Sequence, residues 1–251
     1  MTGDRVLQGQ VAVVTGGGGG IGSAICQRLA AAGARIVLTY RESEDKTRAV
    51  ANSLPGDGHQ VIQASVDESA AVVQLAEQVR AHYGKVDILV NNAGITSPVP
   101  HHDLDSLDDD LIDSIFRTNW RGAFAMIRAF KPLLMAGDGG VVVNISSVAG
   151  VTGIGSNVAY CASKAALDSM TRSLARALAP QIRVVSVSPG WVLGEYARRI
   201  DPLVLEEQRQ KTPLNRLAQA EDVAEAVYAV IAQLRFTTGS IIPVDGGRPL
   251  N

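Results

Sequence analysis

Tyr160 and Lys164 stand four residues apart in Tyr160-Cys161-Ala162-Ser163-Lys164. On a helix that spacing puts a phenol and an ammonium on one face, a turn apart. A free phenol titrates near pH 10 and is a poor acid-base catalyst at neutrality, but a fixed positive charge beside it favours the phenolate and moves its pKa toward the working pH. The pair reads as a proton donor and the cation that tunes it. The spacing also arises by chance, so its surroundings must decide.

The second chemical feature is Thr15-Gly16-Gly17-Gly18-Gly19-Gly20-Ile21-Gly22, which follows a β-branched run and leads into a helical pattern. Backbone amides at a helix N-terminus, with side chains removed, bind pyrophosphate: the free N–H groups and the helix dipole point at the anion. Gly16, Gly19, Gly20, Ile21 and Gly22 are the candidates. The spacing Gly-x3-Gly-x-Gly differs from the common Gly-x-Gly-x-x-Gly, which the glycine run permits only in shifted registers. After the next strand an acid would hold a ribose 2′-hydroxyl and a base a 2′-phosphate. Here the chain reads Thr39-Tyr40-Arg41-Glu42. Arg41 favours NADP, with Tyr40 flanking the adenine, and Glu42 keeps NAD open.

These residues need a scaffold that brings strand ends together. Short β-branched runs alternate with longer helical patterns, the signature of βα repeats and a parallel sheet. Strands are expected at Val11-Thr15, Arg35-Tyr40, Gln60-Ser65, Ile88-Asn91, Val141-Ser146, Arg183-Ser188 and Ser240-Val244. Helices are expected near Ile21-Ala32, Ser43-Leu54, Glu68-Tyr83, Asp105-Trp120 running on to Met135, Ala159-Ala179 and Ala220-Gln233. Val141-Val142-Val143 is continuously apolar, so helices should cover both faces. The expected fold is α/β: a doubly wound, Rossmann-like parallel sheet of seven strands in one domain spanning residues 1–251. Gly190 to Gln219 is the one long irregular stretch, with a charged helical segment between Pro202 and Pro213, where a substrate lid would fit.

Composition narrows the class. Lys plus Arg number 23 against 25 acidic residues, with no long run of one sign, so a nucleic-acid partner is not expected. The opening residues lack a signal-peptide core and no stretch is apolar enough to span a bilayer, so neither export nor membrane insertion is expected; the expected location is cytoplasmic. Cys26 and Cys161 are far apart and no Cys/His cluster has metal-ligand spacing, so they read as small buried residues and no metal is expected.

With Thr15-Gly16-x3-Gly20-x-Gly22, Asn91-Asn92-Ala93-Gly94, Asn119, Ser147, Tyr160-x3-Lys164 and Pro189-Gly190 in this order, the chain resembles the short-chain dehydrogenase/reductase family over essentially its whole length. The resemblance implies an NADP(H)-dependent oxidoreductase that interconverts a ketone or aldehyde and an alcohol. Tyr160 would exchange a proton with the substrate oxygen, Lys164 would lower the tyrosine pKa and bind the nicotinamide ribose, and Ser147 would hold the carbonyl oxygen. Asn119 would kink its helix and hold a water in a proton relay. Asp67, with Val66, would contact adenine; Asn92, Ala93 and Gly94 would line the cofactor; Pro189, Gly190 and Val192 would border the nicotinamide. Other readings stand beside these. Asp67 could simply cap the helix that follows it, and the Asn91-Asn92 pair could tie strand ends. Ser146 faces the opposite way from Ser147, so strand register decides between them. Gly194 occupies the place where family members commonly carry a hydroxyl residue, and the glycine motif lacks the basic residue of some NADP-dependent members.

Substrate identity is less readable. Val148, Ile154, Trp191 and Tyr196, with Gly153, are candidate pocket walls beside Ser147 and Tyr160, and suit a partly apolar carbonyl compound. A small carbonyl or alcohol is the first expectation and a 3-oxoacyl group on acyl carrier protein the alternative. An acidic carrier needs basic docking residues; Arg121, Arg128, Arg172 and Arg176 could serve. A catalytically silent nucleotide-binding protein is a further alternative, disfavoured because Asn119, Ser147, Tyr160 and Lys164 are all present. The small residues Ala162, Ala166, Ser169, Ser173 and Ala177 on the tyrosine helix suggest close approach by another helix and a homo-oligomer, a dimer of dimers.

Overall fold

The computed structural model describes residues 6–194 and 201–250. Seven strands form one sheet: β1 (Val11–Val14), β2 (Arg35–Tyr40), β3 (Gln60–Gln63), β4 (Ile88–Asn91), β5 (Gly140–Ile145), β6 (Ile182–Pro189) and β7 (Ile241–Val244). All pair in parallel, in the order β3-β2-β1-β4-β5-β6-β7. The order reverses between β1 and β4. In an open parallel sheet the crevice at that reversal, outside the carboxyl ends of the strands, is where ligands bind.

Strand alternation distributes the core. Ala12 and Val14 join Ile36, Leu38, Ile88 and Val90 on one face, under Ile25 and Leu29 of α1 (Gly20–Ala31) and Val223 and Val227 of α9 (Ala220–Ala232). Val11 and Val13 face the other side with Val37, Leu89, Val142 and Val184. There they meet α3 (Ser69–Tyr83), α5 (Ala123–Leu134) and α7 (Val158–Leu178) through Val79, Phe130, Leu167 and their neighbours. Both faces of the sheet are covered, as continuously apolar strands require. The remaining helices are α2 (Glu44–Ser53), α4 (Asp109–Phe116), the one-turn α6 (Ala149–Thr152) and α8 (Pro202–Gln210). Among the described residues no helix is long and apolar enough to cross a membrane.

Where elements differ from the sequence expectation, local chemistry explains it. The helix expected from Asp105 begins at Asp109, because the Asp108 carboxylate accepts from Leu111 N at 2.8 Å and caps it. It does not run unbroken to Met135: Arg117–Gly122 form a π-helical turn between α4 and α5. Asp67 does not cap α3, whose N-cap position is Glu68 without a side-chain bond. The irregular stretch from Gly190 contains α8, and its two ends are zipped together by Leu193 N to Ala218 O at 2.8 Å and Ala218 N to Trp191 O at 2.9 Å.

Candidate active site

The glycine loop joins β1 to α1 at the sheet's reversal point. Gly16 has φ +65°, and a Cβ on Gly22 would lie 2.2 Å from Gly16 O, so both positions require glycine for the turn to close. A Cβ on Gly19 or Gly20 would meet nothing within 4 Å. Gly19 is the N-cap of α1 and supplies no side-chain cap. The result is a helix N-terminus without a side-chain cap and with open space beside Gly19 and Gly20, a cradle that fits a pyrophosphate.

Residues after β4 shape this loop. Asn92 Nδ2 donates to Thr15 O at 2.9 Å and Gly16 O at 3.2 Å, while Thr15 Oγ1 accepts from Asn92 N at 3.0 Å and Ala93 N at 2.9 Å. Asn91 Nδ2 donates to Asn144 Oδ1 at 2.8 Å, tying β4 to β5. The asparagine pair therefore builds the scaffold from which the loop hangs. Thr15 is a structural residue whose role is not legible in the sequence, because its partners are distant in the chain.

At the end of β2, Tyr40 is buried, with burial first and neighbouring Glu44 second pushing its phenol pKa up. Arg41 is exposed and paired with Glu42 at 2.9 Å. Asp67 accepts from the Ser65 hydroxyl, and its backbone carbonyl accepts from Arg121. Val66 is buried against the π-helical turn, since a Cβ on Gly122 would fall 2.8 Å from Val66 Cγ2.

Tyr160 and Lys164 lie on α7, whose N-terminus is fixed by Asn157: its Oδ1 accepts from Tyr160 N at 2.7 Å and its Nδ2 donates to Ser97 O at 2.7 Å. An Asn three residues before the tyrosine is itself a sequence signal for such a cap. Lys164 is buried, its Nζ donates to Ile145 O at the end of β5 at 2.8 Å, and it lies 5.7 Å from the centre of the Tyr160 ring. Burial pulls its pKa down to about 8, and the charge of Asp168 opposes that fall. Asn119 sits in the π-helical turn, where its Oδ1 accepts from Ile95 N at 2.8 Å and its Nδ2 donates to Ile95 O at 3.0 Å and Ser163 Oγ at 3.1 Å. The extra residue of a π turn turns the side chain inward. A Cβ on Gly94 would come 3.3 Å from Asn119 Oδ1 and 3.6 Å from Lys164 Nζ, so the chain after β4 passes directly over this pair.

Strand register separates the two serines. Ser146 is buried, with its hydroxyl toward Lys164 O at 3.4 Å. Ser147 is half-buried at the mouth and accepts from Ala149 N at 3.2 Å. Val148, also half-buried, donates its N–H to Pro189 O, and Ile154 is exposed beyond α6. Gly190 N donates to Val244 O, and Val192 bridges to Ala218. Trp191 lines a cleft of about 310 Å³ with Thr212, Leu214 and Arg216. Tyr196 lies outside the described residues. A larger cleft of about 510 Å³ opens at the opposite ends of the strands, beside Asp87 and Arg183. Two of its charged groups are already engaged: Asp87 with Lys85 and Val11 N, Arg183 with carbonyls at the end of α9 and just beyond.

The arrangement can hold a nucleotide's phosphates at one end and move a proton at the other. A family model described as enoyl-(acyl carrier protein) reductase matches residues 16–248. A Streptomyces violaceoruber protein named as ketoacyl reductase 2 of the granaticin polyketide synthase is 38% identical over 242 residues, 96% of each chain. The 3-oxoacyl-[acyl-carrier-protein] reductase FabG of Escherichia coli is 34% identical over 247 residues, 96% of this chain and 98% of that one. A solved structure titled short-chain dehydrogenase/reductase SDR:glucose/ribitol dehydrogenase, from Brucella melitensis, superposes with TM-score 0.90 at 30% identity, covering 96% of this chain and 97% of its own.

Proposed function

Because the chain belongs to the short-chain dehydrogenase/reductase family and is an oxidoreductase acting on a carbonyl or CH–OH group, we propose that it reduces a 3-oxoacyl thioester with NADPH, using Tyr160 as the proton donor. The observation that carries the chemistry is the position of Lys164 Nζ, buried, anchored on Ile145 O and 5.7 Å from the Tyr160 ring centre. A fixed ammonium there stabilises the phenolate that remains when the tyrosine gives its proton to the substrate oxygen. Ser147 at the mouth of β5 donates to that oxygen as negative charge develops on it. Asn119 holds Ile95 and Ser163, and through them fixes the wall around Lys164.

The open, uncapped start of α1 fits the cofactor's pyrophosphate, held by Gly16, Gly19, Gly20, Ile21 and Gly22. Tyr40, Arg41, Val66 and Asp67 would border the adenosine, with Arg41 taking the 2′-phosphate. Asn92, Ala93, Gly94, Tyr160 and Lys164 would line the ribose side, and Pro189, Gly190 and Val192 the nicotinamide. When bound, the nicotinamide supplies the hydride.

For the substrate, the full-length similarity to proteins named ketoacyl and 3-oxoacyl reductases supports an acyl thioester, and the exposed apolar Val151 and Ile154 near Ser147 suit an acyl chain. Arg172 and Arg176 are exposed on α7 as docking charges for an acidic carrier. A small ketone or sugar is the second reading; Asp138, in the turn before β5, lines the cleft at the opposite ends of the strands and bears on neither reading. Ala162, Ser169, Ser173 and Ala177 are exposed and Ala166 half-buried, so the small-residue stripe is not consumed within the subunit, which supports a homo-oligomer. Loss of NADPH absorbance with a 3-oxoacyl thioester, a sugar and an aryl ketone separates the readings. Turnover of the thioester at least tenfold above the others is expected; preference for either of the others overturns the substrate assignment.

A further inference from the structure

Asp168 lies on α7 one turn beyond Lys164, so the helix carries phenol, ammonium and carboxylate in line, each four residues from the last. Its exposure is 2%, and neither carboxylate oxygen receives a hydrogen bond from the described residues. A buried carboxylate without donors is costly unless a nearby charge compensates it.

Its polar neighbours are already engaged. Thr171 Oγ1 donates to Leu167 O at 3.0 Å, accepts from Asn144 Nδ2 at 2.8 Å and lies 2.8 Å from Ser186 Oγ. With its single proton on Leu167 O, Thr171 takes the Ser186 proton. Ser146 Oγ makes its own long contact to Lys164 O at 3.4 Å. Burial pushes the Asp168 carboxyl up from the ordinary carboxylate range; the nearby Ser146 and Ser186 hydroxyls and the charges of Arg172 and Lys164 oppose that rise, but neither hydroxyl completes a hydrogen bond to it. The charged groups that act on Asp168 are Lys164 and Arg172 of the same helix, and Arg172 is exposed. From the elements packed on α7, the charged residues Asp109, Asp110 and Asp113 of α4 and Arg117 and Arg121 of the π-helical turn are exposed, Arg183 of β6 is half-buried and bonded to carbonyls around the end of α9, and none of them acts on Lys164 or Asp168. Lys164 is the buried cation available to Asp168, and Asp168 is the charge that opposes the desolvation of Lys164.

We propose that Asp168 is a positioning residue, the buried counter-charge that keeps the Lys164 ammonium protonated at neutral pH. It acts on the reaction only through Lys164, and its consequence for activity rests on the reading of Lys164 as the partner of Tyr160. Burial drags Lys164 toward neutrality, and a neutral amine does nothing for a phenolate. A carboxylate one turn away restores the charge without touching the substrate, leaving Ile145 O to fix the amine's position.

The test is a pH titration of the Lys164 Cε resonance in protein labelled with [ε-13C]lysine, assigned with Lys164→Arg, in the wild type and in Asp168→Asn. A midpoint lowered by about one unit or more in Asp168→Asn is expected, as for loss of an opposite charge at this range; an unchanged midpoint overturns the proposal. Should Asp168→Asn fail to fold, the wild type decides alone. A secondary displacement of the Lys164 Cε resonance in the acid range, where the Asp168 carboxyl takes up its proton, supports the pair, and a resonance that does not move there overturns it. In parallel, kcat/KM for acetoacetyl-CoA with NADPH should fall about five- to tenfold at pH 8–9 in Asp168→Asn and stay within about twofold at pH 6, because one unit is a tenfold change in the protonated fraction once the lysine is mostly neutral. A uniform loss at every pH, with the lysine midpoint unmoved, overturns the proposal. A lowered midpoint with an unaltered activity profile supports the charge pair and rejects the acid-base reading of Lys164 instead.

Discussion

Arg41 Nε and Glu42 Oε1 lie 2.9 Å apart just beyond β2, so the base and the acid that point to opposite cofactors are paired with each other. Both side chains are more than half exposed, and an ion pair in that setting is weak. A 2′-phosphate offers the guanidinium two parallel charge-assisted bonds and displaces the carboxylate. NADPH should therefore be used in preference to NADH, and Arg41→Ala should raise the KM for NADPH about tenfold while changing that for NADH by less than about twofold, the scale of one hydrogen bond to a charged group. Initial rates with both cofactors check this. Equal efficiencies in the parent protein would remove Arg41 from phosphate recognition.

Replacing the acid gives the opposite sign. Glu42→Ala frees the Arg41 guanidinium, so NADPH should bind a few-fold more tightly at low ionic strength, and the gain should shrink as salt screens the site. Tighter NADH binding in this variant would contradict the pairing.

Tyr160→Phe removes the exchangeable proton and keeps the ring. General acid-base catalysis contributes roughly 10²- to 10⁴-fold, so turnover should fall by that factor while the NADPH dissociation constant moves by less than about threefold. Cofactor fluorescence and steady-state kinetics separate the two effects. Retained turnover removes the phenol from the mechanism.

The difference between what the chain discloses and what it hides lies in sequence distance. Strands such as Val141 to Val143 are legible because a run of β-branched residues buried on both faces has one stable setting in a parallel sheet. The Gly16 to Gly22 loop is legible because its chemistry is local. The π-helical turn at Asn119 is not legible in the residues themselves: Arg117–Gly122 reads as ordinary helix, a kink at Asn119 is implied only by the family resemblance, and it is the hold of Asn119 on Ile95, 24 residues away, that accompanies the extra residue. Thr15 is hidden for the same reason, its partners Asn92 and Ala93 lying 77 and 78 residues on. Asp168 is hidden differently. A Lys and an Asp at i and i+4 read as an exposed helical ion pair, and only the packing of α7 on β5 and β6 puts them out of reach of water.

Lys164 links the site to stability. Its pKa is lowered from 10.5 to about 8, chiefly by burial. Below about pH 8 the lysine is protonated in both folded and unfolded chains, and the cost of burying its charge is fully present. Between about pH 8 and 10.5 the folded chain releases a proton that the unfolded chain still holds, so the cost is relieved as pH rises. The stability of the wild type relative to Lys164→Met should therefore rise by on the order of 2–3 kcal/mol from pH 7 to pH 10.5. Urea unfolding of both proteins at the two pH values measures it, and a pH-independent difference would show that the lysine is not desolvated.

Two glycines of the same loop should respond in opposite ways. A Cβ on Gly22 meets Gly16 O at 2.2 Å and Asn92 Nδ2 at 2.7 Å, and a backbone oxygen cannot move aside without opening the turn. Gly22→Ala should therefore lower the melting temperature of the protein without cofactor by several degrees, a loss on the order of 1–3 kcal/mol. A Cβ on Gly19 meets nothing within 4 Å, so Gly19→Ala should melt within about 2 °C of the wild type. Yet the space that methyl enters faces the uncapped start of α1, where a pyrophosphate must come against the backbone. Gly19→Ala should weaken NADPH binding at least tenfold despite its intact fold. Thermal melts and cofactor titrations on the two variants distinguish a glycine needed to close the turn from one needed to admit the ligand. Unimpaired NADPH binding by Gly19→Ala would place the phosphates elsewhere.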